Sequence, residues 1–314
     1  MARHNNLALP PEDALDIGIL PMSDEGDATS RRDRLAPVSV FRPGKTADRT
    51  TDSPESPDLH LSRDIFSDVY SLALFSPARV WESLNAISLN GDHLAGNGLF
   101  TNPDQSLAGT AFDILRTRLS QAMAERGWRR IGITSPTHGC GKSFTAANLA
   151  LALARRPGSR TVLLDLDLRR PNLHTLFGAS PTGALRDFLD GSQPLESLFV
   201  RVGRTLAVGF NGEAVPDAGD ILHSADTAQA LEAMETQLDP DLTVMDLPPA
   251  LLSDDVLAMR GKVDAVLVVA DGKITTAKDI RACEALFEHR IPLMGVVLNR
   301  AQDRGLGRLR YGRS

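Results

Sequence analysis

Between Ser135 and Ser143 the chain reads Ser-Pro-Thr-His-Gly-Cys-Gly-Lys-Ser, after an apolar stretch and before a helical pattern. Gly139 and Gly141 permit a tight turn and a close approach of backbone to ligand. Lys142 and Ser143 follow, at the start of the next helix, whose N-terminal end is itself positive. Such a turn suits phosphate. Backbone N–H groups wrap the β-phosphate, Lys142 reaches the β- and γ-phosphates, and the Ser143 hydroxyl ligates magnesium. Gly139, Cys140, Gly141, Lys142 and Ser143 are therefore the candidate nucleotide-binding residues. Pro136 stands five residues before Gly141, where a glycine is usual. The competing reading is a structural glycine turn followed by a surface lysine. The strand–turn–helix context and two acidic motifs downstream favour the phosphate site.

The first acidic motif is Val-Leu-Leu-Asp-Leu-Asp-Leu-Arg-Arg-Pro, residues 162–171. A buried strand ends here and releases Asp165 and Asp167 at alternate positions, so both can point the same way. Ligands gather at the carboxyl ends of strands in an open α/β sheet, which aims both acids at phosphate and metal. The second motif is Leu-Thr-Val-Met-Asp-Leu-Pro-Pro, residues 242–249, where Asp246 can hold magnesium through water and the prolines turn the chain out of the strand. Plain strand-end solvation or capping is the alternative for all three acids. Arg169 and Arg170 fit a pairing role with acids or phosphate as well as a solvated one. His138 is expected to face solvent. Cys140 reads as a small spacer, with a redox role as the alternative.

These residues need a scaffold, and the pattern from about residue 105 supplies one. Strands are predicted at 129–134, 160–166, 206–209, 242–246, 264–270 and 293–298. Helices are predicted at 107–125, 142–155, 183–190, 219–237, 253–260 and 275–289. Strands rich in Val, Leu and Ile that alternate with helices imply a mostly parallel sheet covered on both faces, an α/β three-layer sandwich of P-loop NTPase type over 105–303. Residues 1–60 hold seven of the nineteen prolines and read as a largely disordered N-terminal region. Residues 61–104 read as short helices and a linker. Ile65, Phe66, Val69, Leu72, Ala73 and Phe75 form one helical stripe, and Val80, Trp81, Leu84 and Ile87 a second. They fit helices docked on the main domain, or a hook for a partner. Residues 90–104 have a linker's composition. Residues 304–314 form a basic tail containing Tyr311.

Composition narrows the function classes. The chain has 314 residues, a net charge of −6 and a pI near 5.7, so no nucleic-acid partner is expected. Its two cysteines, Cys140 and Cys283, show no disulfide or zinc pattern, in keeping with a reducing cytoplasm. The N-terminus lacks the apolar core of a secretory signal. The longest apolar runs are strand-sized, against the roughly 20 residues of a membrane helix. Attachment to the inner face of a membrane would go through a partner or a surface helix. The arginines of the tail form a small patch for acidic headgroups.

Taken together, GCGKS, LLLDLDLRRP and VMDLPP resemble the Walker A, A′ and B motifs of the bacterial tyrosine kinases of capsule and exopolysaccharide synthesis. The resemblance covers about residues 105–300 and includes LRT (115–117), LHTLFG (173–178), PDAGDILHS and GVVLN. It is similar in fold to the MinD and ParA partition ATPases, but Thr137 takes the place of their early signature lysine. The resemblance implies an ATP- and Mg2+-dependent autokinase acting on tyrosine, regulating polysaccharide polymerisation. It implies Lys142, Asp165 and Asp167 as catalytic residues, with Asp165 as base or activator for the attacking hydroxyl. It implies Ser143, Asp167 and Asp246 at the metal, and Asn299, with Arg300, on the adenine side. A side-chain amide suits an adenine edge, while a strand-end turn residue is the alternative for Asn299. The implied partner is a membrane-spanning polysaccharide co-polymerase or chain-length regulator, with homo-oligomer formation as a further implication.

Departures from the family pattern keep a second reading open. The family's C-terminal tyrosine cluster is reduced to Tyr311, with Tyr70 the chain's other tyrosine. Thr110 and Asp113 replace the first two charges of the family's ExxRxxR helix, and Arg116 keeps the third. Leu247 follows Asp246 where a small hydroxyl residue is usual. An ATP-binding regulatory or scaffold subunit, with ATPase but little tyrosine kinase activity, fits these departures. A partition-type positioning ATPase is the third reading.

Overall fold

The computed structural model describes residues 76–102 and 106–301. The expectations for residues 1–75, with Tyr70, and for the tail with Tyr311 lie outside the described residues. Within them the order is α1 (Pro77–Ser83), β1 (Asn85–Ile87), α2 (Gly91–Gly96), α3 (Leu107–Arg126), β2 (Arg130–Thr134), α4 (Lys142–Ala154), β3 (Thr161–Asp165) and α5 (Leu173–Phe177). Then come α6 (Leu185–Leu189), α7 (Leu195–Leu198), β4 (Phe199–Val202), β5 (Leu206–Gly209), α8 (Ala218–His223), α9 (Ala225–Leu238) and β6 (Leu242–Asp246). A 3-10 turn (Asp254–Met259), β7 (Ala265–Asp271), α10 (Ala277–Phe287) and β8 (Leu293–Asn299) complete it.

The eight strands form one sheet in the order β1-β4-β5-β3-β6-β2-β7-β8, parallel except where β4 meets β5. The central strands are apolar over most of their length because helices cover both faces. Alternation decides which side chain goes where. On β3, Val162 and Leu164 join the cluster that packs on α9 and α10, whereas Leu163 joins the cluster around α3 and α4. Helix α4 lies in the second layer, with Ala146, Ala147, Ala150 and Ala152 wholly buried. Their small side chains let the helix carrying Lys142 sit close against the sheet.

Six predicted strands and the helix that follows the glycine turn form where the pattern placed them. Other stretches differ. The stripe through Trp81 and Leu84 does not run on as helix to Ile87. Helix α1 ends at Ser83, and Asn85–Ile87 pairs with Val200–Val202 at the sheet edge. The linker composition of 90–104 conceals α2, capped by the Asn90 side chain on the N–H groups of Asp92 and His93. Phe199–Val202 is a strand that the pattern did not reveal. The helix expected over 219–237 breaks at Ser224, whose extended backbone and hydroxyl cap the N–H of Thr227.

Gly132 on β2 has a specific packing reason. A Cβ there would lie 2.5 Å from Leu247 Cδ1 and 3.3 Å from Val266 Cγ1. Leu247 thus fills the space that Gly132 leaves. Gly132→Val should cost about 1–3 kcal/mol by overpacking, read as a lower midpoint in urea. Adding Leu247→Ala should restore part of the loss; a fully additive double variant would contradict this packing.

Candidate functional site

The sheet order brings three strand ends together. Strands β3, β6 and β2 are neighbours, and Asp165 and Asp246 are register partners at the ends of β3 and β6. The glycine turn leaves the end of β2, directly beside Asp246. It has the geometry of an anion nest: Gly139 and Gly141 adopt φ of 80° and 92°, which a side chain would resist. The turn feeds α4, so the free N–H groups of the first helical turn face the same space.

Lys142 sits at the centre. Its Nζ lies 2.7 Å from Asp167 Oδ2 and 3.2 Å from Asp246 Oδ1, and it donates to Ser143 Oγ at 3.2 Å. Burial works against its charge, but Asp246 and Asp167 outweigh burial and raise its pKa. Lys142 is therefore a fixed cation.

Asp165 is wholly buried. Its Oδ2 accepts from the backbone N–H groups of Asn172 and Leu173 at 3.1 and 3.0 Å, so the strand-end acid caps the start of α5. Burial, then the charge of Asp246, pushes its pKa well above the usual carboxylate value, against those two N–H groups and Lys142. Asp246 is raised as well, by burial first and Asp167 in addition, while Lys142 and the Ser143 hydroxyl oppose the rise. Asp167 accepts from the N–H of Arg170 at 3.1 Å, which turns its carboxylate toward Lys142. His138 is held below 6.5 by burial, then by Arg170 and Lys142, and so is a neutral imidazole at pH 7 rather than an extra cation.

The residues fit a metal-bound polyphosphate. Asp165 Oδ1 and Asp246 Oδ2 are buried without a hydrogen-bond partner, a costly condition in an interior. Three buried carboxylic groups gather around one ammonium, an acid-rich site that a divalent cation would suit. Among the described residues no group of three His, Cys, Asp or Glu side chains forms a metal cage. Magnesium keeps waters and takes phosphate oxygens alongside one or two carboxylates.

The structure thus gathers Gly139, Cys140, Gly141, Lys142, Ser143, Asp165, Asp167 and Asp246. Asn299 also reaches the turn, but from beneath. Its Nδ2 donates to Cys140 O at 2.9 Å, and its Oδ1 accepts from the N–H of Arg300 at 3.0 Å. Cys140 is buried, 3.6 Å from Thr137 Oγ1 and 3.7 Å from Thr275 Oγ1, as a spacer would be. Arg169 forms a two-pronged ion pair with buried Asp255, at 2.6 and 3.1 Å, tying the loop after Asp167 to the segment after β6. Sequence reading missed Asp255, Asp271 and Thr275. Asp271 carried a signal of the same kind as Asp246, an acid at the end of an apolar strand.

Comparison with known proteins places the chain in a family. Residues 128–303 match the model of the ParA family, described as NUBPL iron-transfer P-loop NTPase. The chain is 30% identical over 211 residues to the tyrosine-protein kinase YwqD of Bacillus subtilis, covering 67% of this chain and 88% of that protein. It is 32% identical over 203 residues to the putative tyrosine-protein kinase EpsB of Ralstonia solanacearum, covering 63% of this chain. There it spans only 26% of the relative's length. Among solved structures, the kinase domain of the Escherichia coli tyrosine kinase ETK superposes with a TM-score of 0.61 at 27% identity, covering 73% of this chain and 88% of that one. Fold, motifs and relatives coincide on one conclusion: the chain belongs to the bacterial tyrosine kinase family, within the ParA-type P-loop NTPases.

Proposed function

We propose that the chain is an ATP-dependent phosphotransferase that moves the γ-phosphoryl group to a protein tyrosine, as part of polysaccharide synthesis and export. The observation that carries the reading is the contact of Lys142 with Asp167 and Asp246 at the mouth of the glycine turn, beside Asp165. Transfer of a phosphoryl group needs aligned phosphates, neutralised charge and a deprotonated acceptor. The amides of residues 139–143 would hold the β-phosphate, and Lys142 would bridge β and γ. Ser143, Asp167 and Asp246 would hold magnesium, which when bound neutralises charge on the phosphate oxygens. Asp165 keeps one buried oxygen without a hydrogen-bond partner and has a raised proton affinity. It would take the proton of the tyrosine hydroxyl as that oxygen bonds to the γ-phosphorus. The bond from the γ-phosphorus to the β–γ bridging oxygen breaks, and ADP leaves.

The partner would be a membrane-spanning polysaccharide co-polymerase, placing the chain in the cytoplasm at the inner face of the membrane. Among the described residues no helix is long and apolar enough to cross a membrane. The second reading, an ATP-binding regulatory subunit, is favoured by the scarcity of tyrosines, Tyr70 and Tyr311 being the only two. A further observation supports it: Asp113, in the helix motif that departs from the family, is paired within the chain to Arg155 and Arg116 at 2.5 and 3.5 Å. Incubation with γ-labelled ATP and phosphotyrosine mapping separates the two. The kinase reading expects label on Tyr311 that is lost in Tyr311→Phe. ATP turnover with no phosphotyrosine on this chain or on a co-polymerase tail would establish the regulatory subunit instead.

A further inference from the structure

We infer that Asn299 and Arg300 are positioning residues that hold the phosphate loop open from behind. The inference rests on the triphosphate reading of the glycine turn. For successive amides of a nest to converge on an anion, the intervening carbonyls must point the other way. Those outward carbonyls need partners of their own. The end of β8 supplies them. Asn299 Nδ2 donates to Cys140 O at 2.9 Å, and Arg300 Nη1 donates to Gly139 O at 2.8 Å. Two adjacent side chains thus serve two adjacent carbonyls of the loop.

The clamp is itself built in. Asn299 is 6% exposed, and a Cβ at Gly141 would lie 2.1 Å from its Nδ2, so its amide is pressed against the underside of the turn. Its Oδ1 is taken by the Arg300 N–H. The Arg300 guanidinium is fixed by Asp271 Oδ2 at 2.6 Å, and Asp271 is 1% exposed. Asp271 Oδ1 in turn accepts from the Lys273 N–H at 2.7 Å. Gly272 completes the fit: a Cβ there would meet Arg300 O at 2.9 Å. Arg300 holds this place with φ of 55°, a left-handed conformation that a non-glycine residue resists. A strained backbone held by three neighbours is kept for what its side chain reaches. Here that is the loop's carbonyl.

Two variants of the full chain separate this from base recognition and from a merely structural role. Arg300→Gly removes the guanidinium and relieves the strained φ, which offsets part of the cost of leaving buried Asp271 without its ion pair, so the chain should still fold, with a lower melting temperature. Asn299→Ala removes the donor to Cys140. Dissociation constants are measured by calorimetry, with magnesium, for ATP and for inorganic tripolyphosphate. Each variant should weaken both ligands by the same factor, about 3- to 10-fold, as expected for one lost hydrogen bond. A loss for ATP alone in Asn299→Ala would make Asn299 a base reader and overturn the proposal. Unchanged affinities in Arg300→Gly would overturn it too, as would a parent chain that binds ATP without binding tripolyphosphate. A parent that binds neither ligand removes the triphosphate reading itself, and the clamp with it.

Discussion

Replacing Lys142 with Met should lower phosphoryl transfer from ATP by about 10²- to 10³-fold, the usual effect of removing one preorganised donor to developing charge. His138 is neutral at pH 7 and Arg169 is paired with Asp255. The same change should also disturb the fold, in a pH-dependent way. Lys142 is 9% exposed and neutralises Asp167 and Asp246, which are 2% and 0% exposed. Breaking such a buried group by removing one partner costs about 3–5 kcal/mol. Asp165 and Asp246 already have raised proton affinities, which Lys142 holds down. Without the ammonium both rise further. An acid with a folded pKa above its unfolded value gives stability that is complete below the unfolded value and lost as pH rises through the folded one. The gap in melting temperature between parent and variant should therefore widen as pH rises above 3.8, the ordinary value of these acids. Lys142→Arg keeps the charge and should narrow that gap, without restoring full transfer in so tight a space. Equal transfer rates in parent and Lys142→Met, read with labelled ATP, would end this assignment. An equal melting temperature at every pH would end the electrostatic account.

How much of this was legible depended on whether a residue's role is local. The glycine turn, Lys142 and Ser143 act as one contiguous piece, so spacing along the chain reveals them. Asp165, Asp167 and Asp246 each end an apolar strand, and strand ends in an open α/β sheet meet at one edge. Asn299 was found as well, but its contact with the loop was not: the sequence carries the amide, while only the packing of β8 under the turn shows which atoms it reaches. Arg300 and Asp271 share a clamp across 29 residues, and Arg169 and Asp255 an ion pair across 86. No periodicity encodes such pairs. Edge strands failed for a different reason. Asn85–Ile87 is three residues long, and its ladder partner lies more than a hundred residues away, so local pattern favoured continuing the helix through Trp81 and Leu84.

That misreading leads to a second large effect. A chain that begins at residue 106 should fail to fold cooperatively, whereas one that begins at residue 76 should fold. Residues 90–104 of the preceding segment have a linker's composition, yet the segment supplies core. Trp81, Leu84, Leu94 and Leu99 are all 4% exposed or less. At about 2 kcal/mol for each such side chain, their loss is on the order of 8 kcal/mol, comparable with the whole margin of a typical domain. Polar groups suffer as well. Asn148 in α4 accepts from the Phe100 N–H and donates to Gly98 O, and its amide is buried. Without the segment it keeps only Phe144 O. Arg155 loses Phe100 O, and Trp81 no longer covers Arg160 or reaches Arg204 O. Strand β4 would lose β1 and present an open edge, a template for aggregation. Since Asn148 lies on the helix that starts at Lys142, the damage should reach the nucleotide site. Circular dichroism through a urea titration tests this. A single cooperative transition for 106–314 with the midpoint of 76–314 would show that the segment is an appendage, and the burial of Trp81 incidental.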